Sequence, residues 1–278
     1  MSAVDPQTVS KLRKFVEELS DVVDIQFSDD PSLPKLPVDP RDKSNSTRTA
    51  HHMLLVASVD QRALVGVAEN ARRLLVHCYE KLGENLYLEG NLDSFATVLR
   101  EFRSPLPLGK SNHVMPHILA SANRFVATTA GGDLVRWARN FNSPSSIVDA
   151  IASNIAWMGA TPNSTRKKAW MYMRWMVRPY PDLRIWENLS PKDLFVPVDI
   201  NVAKAASLFG IMPRESLKVL DWSDVVTITN FARTLFPGDP AKIDYPFFLL
   251  GRGDSKARRV ALKLGLTANT MNSLYTRS

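Results

Sequence analysis

The stretch 159–178 reads GATPNSTRKKAWMYMRWMVR, a turn followed by a helix. Gly159 and Pro162 punctuate the chain, and the hydroxyl side chains of Ser164 and Thr165 suit a helix N-cap. Behind them the apolar residues have helical spacing, which predicts a helix over 166–178. The same spacing recurs through most of the chain and period-2 runs are nearly absent, so we predict an all-α protein.

Proline-rich breaks divide the remaining chain into helices of ordinary length. They fall at 29–46, 104–109, 159–163 and 179–197. The first break carries four prolines, so we predict an N-terminal helix and an extended arm over 1–46. The region 47–278 is expected to form two helical subdomains with a cleft between them. The middle subdomain covers about 60–178, and the other is built from both ends of the chain.

The composition limits the kinds of protein this chain can be. Its 278 residues, 45% hydrophobic and 23% charged, can bury a real core. The formal net charge of +7 favours a polyanionic partner. A single cysteine, Cys78, excludes an internal disulfide and a four-cysteine iron–sulfur cluster, and it favours a reducing compartment. Without an apolar membrane span or secretory signal, we expect a cytoplasmic, nucleoid-associated protein with no membrane partner.

Two faces of the 166–178 helix carry different side chains. Lys167, Arg174 and Arg178 recur at i, i+7 and i+11, so they form one basic stripe that suits phosphates or solvent. Lys168 instead shares a stripe with the aromatic residues Tyr172 and Trp175.

The aromatic surroundings of Lys168 favour a chemical role for its amine. Partial burial and nearby cations disfavour the ammonium form, as an amine nucleophile near neutral pH requires. The alternative, commoner for this spacing alone, is a first-turn helix lysine that extends into solvent.

A second candidate residue, Asp199, follows the extended segment FVPV at 195–198 and precedes an apolar-periodic helix. This context predicts an N-cap whose carboxylate accepts helix N–H groups. Capping alone would explain the residue. A capped carboxylate is also held ionised beside whatever approaches the helix N-terminus, so the two interpretations are compatible.

A lysine that opens a helix after a turn, followed by Val-Asp at the head of a later helix, resembles the helix-hairpin-helix DNA glycosylases. The resemblance is strongest to the archaeal 8-oxoguanine DNA glycosylases, whose lysine and aspartate are also widely spaced. The usual hairpin, Leu-Pro-Gly-Val-Gly-x-Lys, lacks its second glycine here, so an irregular hairpin is expected. The resemblance implies Lys168 and Asp199 as catalytic residues; the choice of Lys168 over Lys167 comes from the faces of the helix.

Two further stretches resemble the same family. The segment 243–252 is similar to the C-terminal helix that supplies an aspartate and an aromatic residue to the base pocket, here Asp244 and Phe248. More weakly, the segment 57–61 matches the turn that fills the gap left by the extruded base. The implied base pocket comprises Tyr172, Pro197, Asp244 and Phe248. The implied DNA contacts are Asp60, Gln61, Arg166, Lys167, Arg174 and Lys256.

Each of these pocket residues could also have a purely structural role. On pattern alone Phe248 fits a core residue better than a ligand contact, and Tyr172 could equally be a buried side chain whose hydroxyl has a partner. Asp244, in an apolar context, could be a local cap or an arginine partner.

The resemblance implies a monomeric DNA N-glycosylase and abasic-site lyase that acts on double-stranded DNA containing a damaged base. Removal of an oxidised base, with 8-oxoguanine favoured, would proceed through a lysine Schiff base and need neither cofactor nor metal. Oxidised pyrimidines remain possible substrates. The alternative is a nucleic-acid-binding protein that keeps the fold without the chemistry.

Overall fold

The computed structural model describes residues 6–60, 67–88, 92–102 and 112–266, and these ranges contain helices and turns but no β-strand. The prediction of an all-α protein is therefore confirmed for this part of the chain. The helices are α1 (Pro6–Glu18), α2 (Ser46–Val59), α3 (Val67–Leu82), α4 (Leu92–Glu101), α5 (Met115–Arg124), α6 (Leu134–Ala138), α7 (Pro144–Asn154), α8 (Lys167–Val177), α9 (Ile200–Leu208), α10 (Trp222–Leu235), α11 (Asp244–Arg252) and α12 (Ser255–Lys263).

The buried apolar side chains form two clusters. The middle core draws on helices α2 to α8 and contains fully buried large side chains such as Trp170 and Trp186. The end core combines α1 with residues from Val196 onward. Phe15 of α1 packs against Phe209, which in turn packs against Phe247 of α11. The buried residues of the first helix thus pack against helices that are distant in sequence.

A glycine sets the distance between α9 and α11. A Cβ added to Gly251 would lie 1.9 Å from the backbone carbonyl oxygen of Asn201, inside any permitted contact. Only a residue without a side chain lets the two helices cross this closely. Their N-terminal residues Asp199 and Asp244 are thereby fixed relative to one another.

The arm that follows α1 contains short turns and no long helix before residue 43, as its prolines dictate. Arginine and lysine side chains fasten it by donating to backbone carbonyls. The Arg72 guanidinium reaches the carbonyls of Ile25, Ser28 and Pro34. Arg41 donates to the carbonyls of Pro181 and Asp182. The arm therefore joins α3 to the segment behind α8.

The start of α8 differs from its prediction in one respect. The helix spans Lys167–Val177, close to the expected 166–178, but neither Ser164 nor Thr165 is its N-cap. Arg166 occupies that position in a left-handed conformation with φ 50° and makes no side-chain cap. The Ser164 hydroxyl instead accepts from the Arg166 backbone N–H at 3.2 Å. The hydroxyl therefore shapes the turn before the helix and leaves its first N–H groups uncapped.

Candidate functional site

Four helix ends bring charged side chains together between the two cores. Asp60 follows the C-terminus of α2, and Lys167 and Lys168 open α8. Asp199 caps α9, and Asp244 opens α11. The first three belong to helices of the middle core, and the two other carboxylates belong to helices of the end core. The site therefore depends on how the two cores meet.

Lys167 forms the central ion pair of this site. Its Nζ lies 2.5 Å from an Asp60 carboxylate oxygen, and the two side chains are 25% and 7% exposed. Burial lowers the pKa of the Lys167 amine, but Asp60, Asp199 and Asp244 together outweigh burial and raise the pKa above its ordinary value. Lys167 is therefore a cation held by carboxylates. It was predicted to contact DNA, and in this structure its amine faces the acidic cluster.

Lys168 lies in a different environment, one residue along the helix. Its Nζ donates to the backbone carbonyl of Ser58 in the last turn of α2, at 3.2 Å. Burial, with the neighbouring Lys167 charge, lowers the pKa of this amine to about 7, and Asp60 only partly opposes the shift. A large share of Lys168 is therefore neutral at physiological pH, in contrast to a solvated lysine.

Lys168 was expected to pair with Asp199, but in the structure Asp199 influences Lys167. The charge of Asp199 raises the pKa of Lys167, whose amine lies in the same cluster of carboxylates. The charges that act most on Lys168 are Asp60 and Lys167. Adjacent helix residues point about 100° apart, so the two amines face different neighbours. The site thus contains a cationic lysine paired with carboxylates and a less basic lysine beside it.

The predicted N-cap at Asp199 is confirmed. Its carboxylate accepts from the backbone N–H groups of Asn201 at 2.8 Å and Val202 at 2.9 Å. These bonds fix the direction of the carboxylate at the helix N-terminus. Pro197, two residues earlier, is buried, so the segment entering α9 is anchored as well.

The predicted basic stripe on α8 exists as a helix face, but the structure buries most of it. Arg174 is 3% exposed and pairs with Asp244 at 2.5 Å and Asp24 at 2.7 Å. Arg178 pairs with Asp182 and, at 2.9 Å, with Asp239. The expectation that Arg174 contacts DNA does not fit this placement. Its guanidinium is enclosed by carboxylates from the arm and the end core and is already paired with them.

Asp244 adopts one of the alternatives considered for it, an arginine partner. Its carboxylate is 5% exposed and accepts from Arg174. Burial raises the pKa of Asp244 to about 6; Arg174 opposes this shift, and Asp199 adds to it. The group is therefore a weaker acid than a solvated aspartate, and in this structure its oxygen accepts a hydrogen bond from Arg174.

The two predicted aromatic pocket residues differ in accessibility. Tyr172 is fully buried, its hydroxyl donates to the Ala50 carbonyl at 3.0 Å, and its ring meets Trp186 edge-on at 5.3 Å. This placement gives Tyr172 no exposed ring face to offer to a base. Phe248 is partly exposed and stacks on Tyr245 with ring centroids 6.0 Å apart. The Arg252 guanidinium also lies over the Phe248 ring, 5.6 Å from its centroid. Of these two aromatic residues, Phe248 is the one that reaches solvent.

The remaining predicted DNA contacts lie at the surface or outside the described residues. Arg166 pairs with Asp149 at the turn before α8, and its side chain is 21% exposed. Lys256 is exposed in the first turn of α12. Gln61 lies outside the described residues. The structure thus brings together Asp60, Asp199 and Asp244 with the two lysines, and it buries Tyr172 and Arg174 beneath them.

Several contributors to the site gave no signal in the sequence. Asp24 lies in the non-periodic arm, where it accepts from Arg174 and from the Trp175 indole N–H at 3.1 Å. Asp182 follows Pro181 in a proline-rich break and bridges Arg174 and Arg178. The Ser58 carbonyl is a backbone group and has no residue signature. The proximity of acidic residues to an arginine-bearing helix could have suggested pairing, but not which acids would meet it.

The four described ranges contain no group of His, Cys, Asp and Glu side chains that could hold a metal ion. Over the same residues, each helix is too short or too polar to cross a bilayer.

The chain belongs to the family described as "Protein of unknown function (DUF2400)", whose model matches residues 97–253, more than half of the sequence. No curated protein matches the chain. The matched region includes both lysines, Asp199 and Asp244, and it excludes Asp24 and Asp60.

Proposed function

We propose that this DUF2400 protein is a DNA glycosylase with lyase activity, in which Lys168 is the nucleophile. The observation that carries the proposal is the contrast between two adjacent lysines. Lys168 has its pKa lowered to about 7, while Lys167 beside it is held cationic by Asp60 and Asp199. A desolvated lysine next to another cation is one of the ways in which proteins activate an amine nucleophile.

The proposed reaction begins with extrusion of the damaged nucleotide from the duplex, which costs about a few kcal/mol and less for a damaged base. The neutral Lys168 amine attacks C1′ of the sugar, a C–N bond forms, and the bond from C1′ to the base breaks. The proton lost from the amine goes to the departing base. Asp199, held by its two backbone N–H partners, stabilises the positive charge that develops on the sugar.

Opening of the sugar then converts the adduct to a Schiff base. Loss of a proton from C2′ breaks the bond between C3′ and its phosphate oxygen, which nicks the strand. Water finally hydrolyses the Schiff base and restores the amine. The reactants in these steps are the Lys168 amine, the DNA and water.

Asp244 is the proposed acceptor for the base. Oxidation at purine C8 converts N7 from an acceptor to a donor, so a carboxylate distinguishes 8-oxoguanine from guanine. Because Asp244 is buried against Arg174, base binding requires the two cores to separate locally. Phe248, partly exposed on the same helix, is the proposed stacking partner.

Borohydride trapping on duplex DNA containing 8-oxoguanine tests the proposal. A covalent adduct is expected with the wild-type protein and with Lys167→Gln, and none with Lys168→Gln. A duplex that already contains an abasic site separates lyase chemistry from base removal, and a duplex with an oxidised pyrimidine tests base choice. Trapping that disappears in Lys167→Gln and survives in Lys168→Gln would transfer the nucleophile role to Lys167.

The second candidate is a DNA-binding protein without the chemistry. The observation in its favour is that Tyr172 and Arg174 are bonded inside the protein, so that much of the expected pocket is filled. Binding of duplex DNA with no adduct on any of the three duplexes would support this candidate.

A further inference from the structure

The connection between α7 and α8 presents an exposed tryptophan. Trp157 is 60% exposed, whereas Trp170, Trp175 and Trp186 are each 1% exposed. Trp137 is 9% exposed, and Trp222 is half-buried. Five of the six tryptophans therefore serve packing, and Trp157 offers its ring to solvent.

The backbone around Trp157 is arranged so that this ring points away from the core. Ile155 and Met158 on either side are 2% and 1% exposed, and the Ala156 N–H donates to the Ser121 hydroxyl at 3.0 Å. Trp157 itself has φ 65°, a left-handed conformation that is a genuine outlier for a bulky residue. Strain of this kind persists where the surroundings impose it, and it is concentrated at functional positions.

Trp157 lies near the turn that precedes α8. Two residues after Trp157, Gly159 has φ 93°, and a Cβ there would meet the Arg166 Cα at 3.2 Å. Two residues span at most about 7 Å, so Trp157 lies within that distance of a glycine in contact with the residue before α8. Trp157 therefore lies near Arg166, whose side chain is 21% exposed in the turn before α8.

We propose that Trp157 is a nucleic-acid contact whose ring stacks on an unpaired base beside Arg166. The ligand class follows from the combination of an exposed aromatic ring with a neighbouring arginine, an arrangement that binds unstacked nucleotides. The +7 net charge favours the same polyanion. The identification of DNA rests on the proposed function, and it names the residue that would hold the strand when a base is displaced.

Tryptophan fluorescence and affinity for a duplex containing an abasic site test this inference. We expect DNA to quench the fluorescence of the wild-type protein, with most of the quenching lost in Trp157→Phe. The phenylalanine variant should keep near-wild-type affinity, since it retains a ring. Trp157→Gly should weaken binding by about 5-fold to 100-fold.

The glycine variant also separates a binding role from a structural one. Glycine adopts φ 65° without strain, so Trp157→Gly is expected to unfold at the same temperature as wild type or higher while binding DNA less tightly. A lower unfolding temperature, unchanged affinity, or full quenching in Trp157→Phe would each overturn the inference. Tyr180→Ala is the matched control, because Tyr180 is 64% exposed and lies beyond the opposite end of α8, about 16 Å away.

The outcomes distinguish this inference from the proposed function. Trapping at saturating DNA with no contribution of Trp157 to binding leaves the glycosylase proposal standing and removes the stacking role. Quenching through Trp157 with no covalent adduct would support the stacking role and remove the glycosylase proposal.

Discussion

Replacement of Gly251 by alanine should push α9 and α11 apart, and this displacement should lower both the free energy of unfolding and the rate of the proposed reaction. The added Cβ would lie 1.9 Å from the Asn201 carbonyl oxygen, so α9 and α11 must separate by roughly 1 Å to reach a permitted contact. Overpacking against a rigid backbone costs about 3 kcal/mol at the upper end, and alanine returns about 1 kcal/mol of helix propensity. The free energy of unfolding should therefore fall by about 2 kcal/mol.

The same displacement reaches the proposed chemistry because Asn201 is in the first turn of α9. Its N–H is one of the two that hold the Asp199 carboxylate. A misplacement of about 1 Å in a catalytic group can lower a rate by about 100-fold. The rate of borohydride trapping by folded Gly251→Ala should fall by a factor of that order, while affinity for DNA changes little.

Denaturant unfolding and single-turnover trapping at saturating DNA measure the two effects. Gly238→Ala is the control, since a Cβ at exposed Gly238 meets nothing within 4 Å. If Gly251→Ala unfolds at the same denaturant concentration as wild type, the close approach of the two helices is not a constraint. A normal trapping rate in a destabilised Gly251→Ala would instead separate Asp199 from the reaction.

Two further predictions follow from the charges around α8. The trapping rate should rise with pH through about 7 and then level off, because the neutral form of Lys168 is the reactive one. Lys167→Gln removes a cation that lowers the pKa of Lys168, so the midpoint should move to higher pH; a shift to lower pH contradicts this account. Arg174→Met should lower the free energy of unfolding by about 3–5 kcal/mol, because it leaves buried carboxylates unpaired. Lys256→Met, at an exposed position, should leave stability unchanged; equal stability of the two variants would argue against the buried network.

Local features of the fold could be predicted from the sequence because their causes are local. The apolar spacing of 166–178 gave the bounds of α8 to within one residue at each end. Asp199 was predicted as an N-cap from its immediate neighbours, and its two backbone partners lie two and three residues ahead. In both cases the determining contacts fall within one or two helical turns.

The partners of the basic stripe could not be predicted because they come from far along the chain. Arg174 was correctly placed on one face with Lys167 and Arg178, but the pattern favoured phosphates or solvent opposite that face. Its partners Asp24 and Asp244 are 150 and 70 residues away, in an arm without periodicity and in the end core. Helical spacing specifies which residues share a face, and tertiary packing decides what that face meets.

The pKa values of Lys167 and Lys168 are shifted in opposite directions because their amines contact different groups. Adjacent side chains on a helix point about 100° apart. Lys167 faces carboxylates, and an ionised carboxylate in a poorly hydrated place stabilises a cation strongly. Lys168 faces the Ser58 carbonyl in the last turn of α2. A carbonyl accepts a hydrogen bond from the neutral amine as well as from the ammonium. Because the carbonyl has no formal charge, loss of the Lys168 proton leaves no charge unpaired. The carbonyl thus accepts a hydrogen bond from Lys168 in either protonation state, and burial favours the neutral amine that the proposed nucleophile needs.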